Sequence, residues 1–220
     1  MKLLFIALLF SSISAIAQVT SPLFTDSKGT MIKGKANGDV SGSPYLFNYW
    51  SKGTIKTSSG KIQREMSLKF DVSQEKLLFQ TSEGDSMYFA EPIDEFELLS
   101  SNSPIPLKFT FNFPASYNIA SKGFIQNIST GKISLYKKYN ISIMESKGYG
   151  AQSVNKNFNP TTSFFIFKDG SLTKFFPSKK NVLVLIPNKE AEITEFMKKN
   201  TINFKTDEDL KKVFDFINQL

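Results

Sequence analysis

Two side chains are missing altogether: the 220 residues contain no cysteine and no histidine. Without thiols there is no disulfide framework and no cysteine nucleophile. Without imidazole there is no Ser-His-Asp triad, no histidine pH switch and, with both gone, no zinc site of the usual ligand types. Any catalysis is left to Asp/Glu pairs, a Ser-Lys dyad, Tyr or Arg. Long apolar runs are lacking too. The leading "LLFIALLF" is shorter than the roughly 20 residues that cross a bilayer, and no later stretch reads as a stop-transfer or transmembrane segment.

What stands at the start is a charged Met-Lys, that apolar run, and "SSISAIA" ending in the small-x-small sequence Ala15-Ile16-Ala17. This order predicts a secretory signal peptide over residues 1–17, cleaved between Ala17 and Gln18, and hence an exported protein of the periplasm or the exterior. The rest of the chain is long enough for one large domain or two small ones with a real core, and its 22 Phe suit strands that pack one apolar face.

Charge is uneven. Residues 18–98 carry 9 Lys+Arg against 11 Asp+Glu, whereas residues 99–220 carry 17 against 9. Such a basic C-terminal half is drawn to anionic partners: envelope glycan, lipid head groups or another envelope protein, in preference to nucleic acid. The plainer alternative is a solvated, lysine-rich face.

Residues 18–44 are rich in Gly, Ser, Thr and Lys and read as an irregular N-terminal arm. Within it, Gly29–Ala36 nearly matches a phosphate-cradling loop, but Ala36 stands where magnesium binding needs Ser or Thr, and no strand precedes it. From Gly53 the pattern turns to β. In "KIQREMSLKFDV", Ile62, Met66, Leu68, Phe70 and Val72 alternate with polar residues, Arg64 being the one exception on the apolar face. "GTIKT" pairs with it through "SSGK", and "KLLFQT", "SMYFA" and "DEFELL" add three short strands.

The second half brings "IPLKFTFNF", a hairpin of "KGFIQNIS" with "KISLYKKYNISIM", and a hairpin in "TSFFIFKDGSLTKFF" tipped by Asp169-Gly170. Helical signals close the chain: "SKKNVLVLI" reads as strand or, with Ser178 to cap it and Pro187 to end it, a short helix, Asn188 caps "KEAEITEFMKKN", and Thr206 with Asp209 forms a capping box over "DEDLKKVFDFINQL".

The fold class expected is α+β: an antiparallel β-rich N-terminal small barrel or curled sheet, then antiparallel hairpins, followed by two to three C-terminal helices. The organisation expected is a small β-domain over 45–100 and an α+β domain over 101–220, or one composite of the two.

No specific catalytic, cofactor-binding or metal-binding motif emerges. Glu91, Asp94, Glu95 and Glu97 suggest a glycosidase carboxylate pair, with Glu95 or Glu97 as candidates, yet 95 and 97 share one face of a strand as an ordinary wet side does. Ser-x-x-Lys spacings recur from Ser58/Lys61 to Ser171/Lys174 without the accompanying Ser-Asp-Asn or Lys-Thr-Gly. "MESKGYGAQSVNKNFNPTTS", residues 144–163, reads as a long aperiodic loop, either disordered or a binding loop. In it, Lys147, Tyr149, Lys156 and Phe158 offer cations and aromatics for a ligand or partner. The aromatic run "PYLFNYW" before the first hairpin is expected to fold back as a plug, burying Tyr45, Phe47 and Trp50, the alternative being an exposed aromatic platform for a ligand.

The "AQ" junction, "GSPYLFNYWSKGTIKTSSGK", "SLKFDVSQEKLLFQ" and the lysine-rich end "EDLKKVFDFINQL" together resemble a recurrent, uncharacterised group of exported, signal-peptide-bearing Bacteroidota proteins. Asp85-Ser86-Met87 likewise resembles the short O-glycan acceptor motif of such proteins. The resemblance implies compartment and architecture, and no activity. The functions expected are therefore a non-enzymatic envelope-binding or structural protein, a carboxylate-dependent hydrolase of envelope glycan, or a component of a secretion or surface assembly.

Overall fold

Alternation in "SKGTIKT" and "IQREMSLKFD" produces the central hairpin of the computed structural model, which describes residues 40–101, 103–111, 123–147 and 154–220. The expected signal peptide with its Ala17/Gln18 junction, the expected N-terminal arm up to residue 39 with Gly29–Ala36, and Tyr149 lie outside the described residues. The strands are β1 (Val40–Ser41), β2 (Ser51–Thr57), β3 (Ile62–Asp71), β4 (Lys76–Gln80), β5 (Ser86–Tyr88), β6 (Ile93–Ser100), β7 (Ser103–Phe111), β8 (Phe124–Ser129), β9 (Ile133–Ser146), β10 (Asn155–Lys168) and β11 (Ser171–Phe175). Helices α1 (Lys179–Leu183), α2 (Glu190–Lys199) and α3 (Asp207–Ile217) follow.

All eleven strands belong to one sheet, ordered β1-β10-β9-β8-β7-β6-β2-β3-β4-β5, with β11 beside the last part of β10. Because β6 pairs with β7 through Glu95↔Thr110 to Leu98↔Leu107, the two expected β regions are continuous across residue 100. The class is α+β as expected, with two corrections: the sheet does not close into a barrel, and it is mixed, since β1 runs parallel to β10.

The sheet is nevertheless strongly rolled. Only three residues, Gly42, Ser43 and Pro44, separate Ser41, beside β10, from Tyr45, beside Asp71 of β3. Such a link spans at most about 14 Å, whereas the six sheet steps from β10 to β3 would cover roughly 29 Å if flat. Curling also brings Phe70 of β3 edge-on to Phe124 of β8, with centroids 5.6 Å apart. Glu75, in the β3–β4 turn, accepts from the Phe124 amide at 2.9 Å and from the buried Lys138 ammonium, fastening the turn to β8 and β9.

The expected alternation along β3 holds from Met66 onward and fails before it. Gly53 faces Met66 but Ile55 faces Gln63, so Arg64 and Glu65 together oppose Thr54, and Glu65 adopts φ 57°. This β-bulge reverses the side-chain phase. Ile62 consequently lies outside, 52% exposed, on the same side as Arg64. Arg64, the odd member of the apolar series, marks the defect.

The 144–163 loop is also corrected. β9 and β10 are 14 residues each and stay paired up to Ser146↔Asn155, so most of that stretch is strand. Its Asn, Lys and Pro residues disguise it. Pro160, which has no N–H to donate, sits where the far edge of β10 is paired with neither β1 nor β11.

Two apolar clusters occupy one face. Ile55, Leu68, Phe70, Phe96, Leu98, Phe109 and Phe124 fill the curl, while Leu135, Phe175, Val182, Ile193, Leu210, Val213 and Phe214 lie under the helices. Leu135 and Tyr139, four apart on β9, belong to the two clusters, and Lys137 stands between them on the same face. Ser178 caps α1 as expected, accepting from the Asn181 amide at 3.2 Å. The N-cap of α2 is Lys189, one residue after the expected Asn188, which is turned to φ 67°. Thr206 is the N-cap of α3 but makes no side-chain capping bond, and the Asp209 carboxylate reaches back to the Asn203 amide instead.

Candidate functional site

The bulge at Arg64 leaves a shallow cleft of ≈ 310 Å³ on the outer face, lined by Thr54, Lys56, Arg64, Glu95, Lys108 and Thr110 among others. The two candidate glutamates lie here. Glu95 receives Lys56 at 2.7 Å and Glu97 receives Lys108 at 3.0 Å. Both come from β6, Glu95 is exposed and Glu97 half-buried, and no carboxylate from another strand lines the cleft. A glycosidase needs two carboxyls facing each other across a sugar bond, one of them with a raised proton affinity. A ladder of alternating Lys and Glu on a wet sheet face does not provide that facing pair. Glu91 and Asp94 serve the β2–β3 turn, accepting from the Ser59 amide and the Ser58 hydroxyl. A bond from the Ser59 hydroxyl lowers the Glu91 pKa, and the amide bond adds to it.

The aromatic segment before β2 is neither a fully buried plug nor an open platform. Pro44 accepts from Val72 and the Leu46 amide donates to Phe70, so this stretch runs along the end of β3. Leu46 and Phe47 pack on the curled core. Tyr45 and Trp50 are half-buried beside the Lys69 ammonium, 4.5 and 5.5 Å from their ring centres, and desolvation lowers the Lys69 pKa. Lys69 also donates to the Asn48 carbonyl at 3.1 Å. The aromatics thus enclose a cation belonging to the chain itself.

Of the four candidate contact residues, Lys156 and Phe158 stand on β10 and Lys147 is exposed just past β9. Lys156 pairs with Glu145 at 3.1 Å, and Phe158 faces Ile143 across the strands. These residues therefore belong to a β-ribbon, whose Ile143 and Met144 are both more than half exposed. Ser86 begins β5 at the sheet edge.

A feature the sequence reading passed over is the β11–α1 corner. Residues 171–189 carry Lys174, Lys179, Lys180 and Lys189 without a single Asp or Glu. Lys189 pairs with Glu192, whereas Lys174, Lys179 and Lys180 have no ion-pair partner among the described residues. On the same corner Phe176 is 65% and Val184 69% exposed, more than any other large apolar side chain described. The local fold explains this display. Phe175 turns inward onto Phe214, at 5.7 Å, so its neighbour Phe176 must turn out. Val182 and Leu185 take the inner side of α1, leaving Lys180 and Val184 one turn apart outside. The acid-free charge run was the available signal, but the apolar letters around it read simply as core.

Among the described residues no cluster of acids is arranged to hold a metal ion, and no helix is long and apolar enough to cross a membrane. Compared with protein-family models, with curated proteins and with solved structures, the chain matches none.

Proposed function

We propose that this is an exported, non-catalytic protein of the cell envelope that binds an anionic surface through its C-terminal half. One observation carries the reading: five of the nine acids in this half are held by lysines, among them Asp207 by Lys137, Asp209 by Lys212 and Asp215 by Lys211, and the four left over, Asp169, Glu190, Glu195 and Glu208, are outnumbered by lysines without an ion-pair partner. Lys174, Lys179, Lys180, Lys198, Lys199 and Lys205 have no acidic partner among the described residues and occupy β11, α1, α2 and the α2–α3 connection. Paired charges are largely neutralised at a distance, so the net field of this half is set by the excess of unpaired lysines over the unpaired acids. The charged start, apolar run and Ala15-x-Ala17 junction support export. The hydrolase alternative draws no support from two glutamates of one strand that each hold a lysine.

Retention on an acidic-polymer support at low salt, with elution as ionic strength passes about 0.15 M, where the screening length is about 8 Å, is the expected behaviour. Retention that does not change up to 1 M salt would contradict the electrostatic basis. The exposed Ile143, Met144 and Val154 of the β9–β10 ribbon favour a second reading, a component of a larger surface assembly. Crosslinking in intact cells through residue 144 tests it, and recovery of only uncrosslinked chain would count against it.

A further inference from the structure

We infer that the β11–α1 corner is a docking face for an anionic lipid surface, with Lys174, Lys179 and Lys180 at the head groups and Phe176 and Val184 at the acyl boundary. This rests on the anionic-surface reading above and adds the identity of the surface. A soluble polyanion, whether glycan or acidic protein, satisfies lysines but gives an exposed Phe and Val nothing to enter. A bilayer with anionic lipids satisfies both at once, phosphates for the ammonium groups and hydrocarbon a few Å beneath for the apolar side chains.

The corner is also built to hold its apolar residues out. The Asn181 side-chain amide donates to the Phe176 carbonyl at 2.7 Å, placing Phe176 beside the first turn of α1. Ser178 caps that turn, and Val182, fully buried, anchors it to the helical core. The Lys174 ammonium lies 5.4 Å from the Phe176 ring centre, so cation and aromatic face outward as one unit. Lys180 and Val184, the C-cap of α1, stand one helical turn apart and are both exposed. Three unpaired cations, two outward apolar side chains and no acid within residues 171–189 make the charge complementarity specific to this corner.

The test places the probe on the corner itself. Phe176→Trp in a Trp50→Phe background gives a protein whose only indole reports from position 176. With phosphatidylcholine–phosphatidylglycerol vesicles the emission is expected to shift to the blue, and with pure phosphatidylcholine vesicles it is expected to stay unchanged. In the native background, Phe176→Ser/Val184→Ser should weaken sedimentation with the mixed vesicles about tenfold and leave retention on an acidic-polymer support unchanged. Removing lysines one at a time as Gln should cost about fivefold each. If the position-176 indole does not shift, or the double Ser variant sediments as the wild type does, the lipid assignment is overturned. Retention on the polymer in that case would keep the broader reading alive with a glycan or acidic protein as the partner. Failure to bind either vesicles or polymer would remove both.

Discussion

In β3, β6, β7 and the start of β8 the apolar face is covered by the curvature of the sheet itself, whereas from the end of β8 through β9 and β11 it is covered by the three helices. The curled part is filled by stacked and edge-on rings: Phe96 lies 4.6 Å from Phe109 and 4.7 Å from Phe124, and Phe70 touches all three. The helix-covered part is aliphatic for the most part, and polar bonds hold its cover in place. Asp207 at the start of α3 takes both bonds from Lys137, Asp215 accepts from Ser129, and Asn218 exchanges hydrogen bonds with the Ile133 backbone. Curvature buries large rings without needing a second layer, while a separate layer must be oriented, and directional bonds do that.

Breaking the ring cluster is the harshest way to test this contrast. Phe96→Ala should lower global stability by about 3–5 kcal/mol, seen as a fall in the urea midpoint with the whole chain unfolding together. A drop below 1 kcal/mol would mean the curl is not a packed core. Gly53→Ala comes next, because a Cβ there would lie 2.1 Å from the Glu97 carbonyl oxygen and 2.7 Å from Leu68. Relief requires the β2–β6 pairing to open where Gly53 faces Leu98, so the expected cost is about 1–3 kcal/mol, measured the same way.

Asp207→Asn probes the helix cover. It weakens the bond pair to the largely buried Lys137 and should cost about 1–2 kcal/mol. Amide exchange should quicken across α3 and not in β2 or β3, and equal quickening in both would erase the distinction between the regions. The mildest effect is confined to alkaline solution. Tyr139, at the seam, donates to Gln126 at 2.7 Å, and burial, aided by Asp207, holds its pKa well above the ordinary tyrosine value. Folding therefore favours the neutral phenol. Its contribution is complete below the ordinary value of about 10 and is lost as pH rises above it. Tyr139→Phe should flatten the fall in melting temperature above pH 10, and a variant that falls as steeply as the wild type would discount this ionisation.

Much of the architecture was legible because period-2 alternation and helix punctuation are local. The ten strands from β2 to β11, apart from the extended arms of β9 and β10, and the inward faces of α2 and α3 follow from the spacing of Leu, Ile, Val and Phe. The misreadings have a common cause. Glu65 at positive φ is not encoded by any glycine or turn residue, so the bulge showed only as Arg64 in the wrong place. The arms of β9 and β10 are strand through pairing with each other and not through their own propensity. The candidate site was legible in part, since the lysines of 174–180 were visible, but an outward Phe176 beside an inward Phe175 was not.

Composition and local pattern by themselves decided that this chain has no imidazole or thiol chemistry, that strands precede helices, and that positive charge gathers toward the C-terminus. Only the tertiary structure decided that one rolled sheet unites both halves, which glutamates hold lysines, and which apolar residues face water. The reason is that alternation and charge are properties of neighbours along the chain, whereas curl, ion pairing and exposure are set by residues that meet from distant strands.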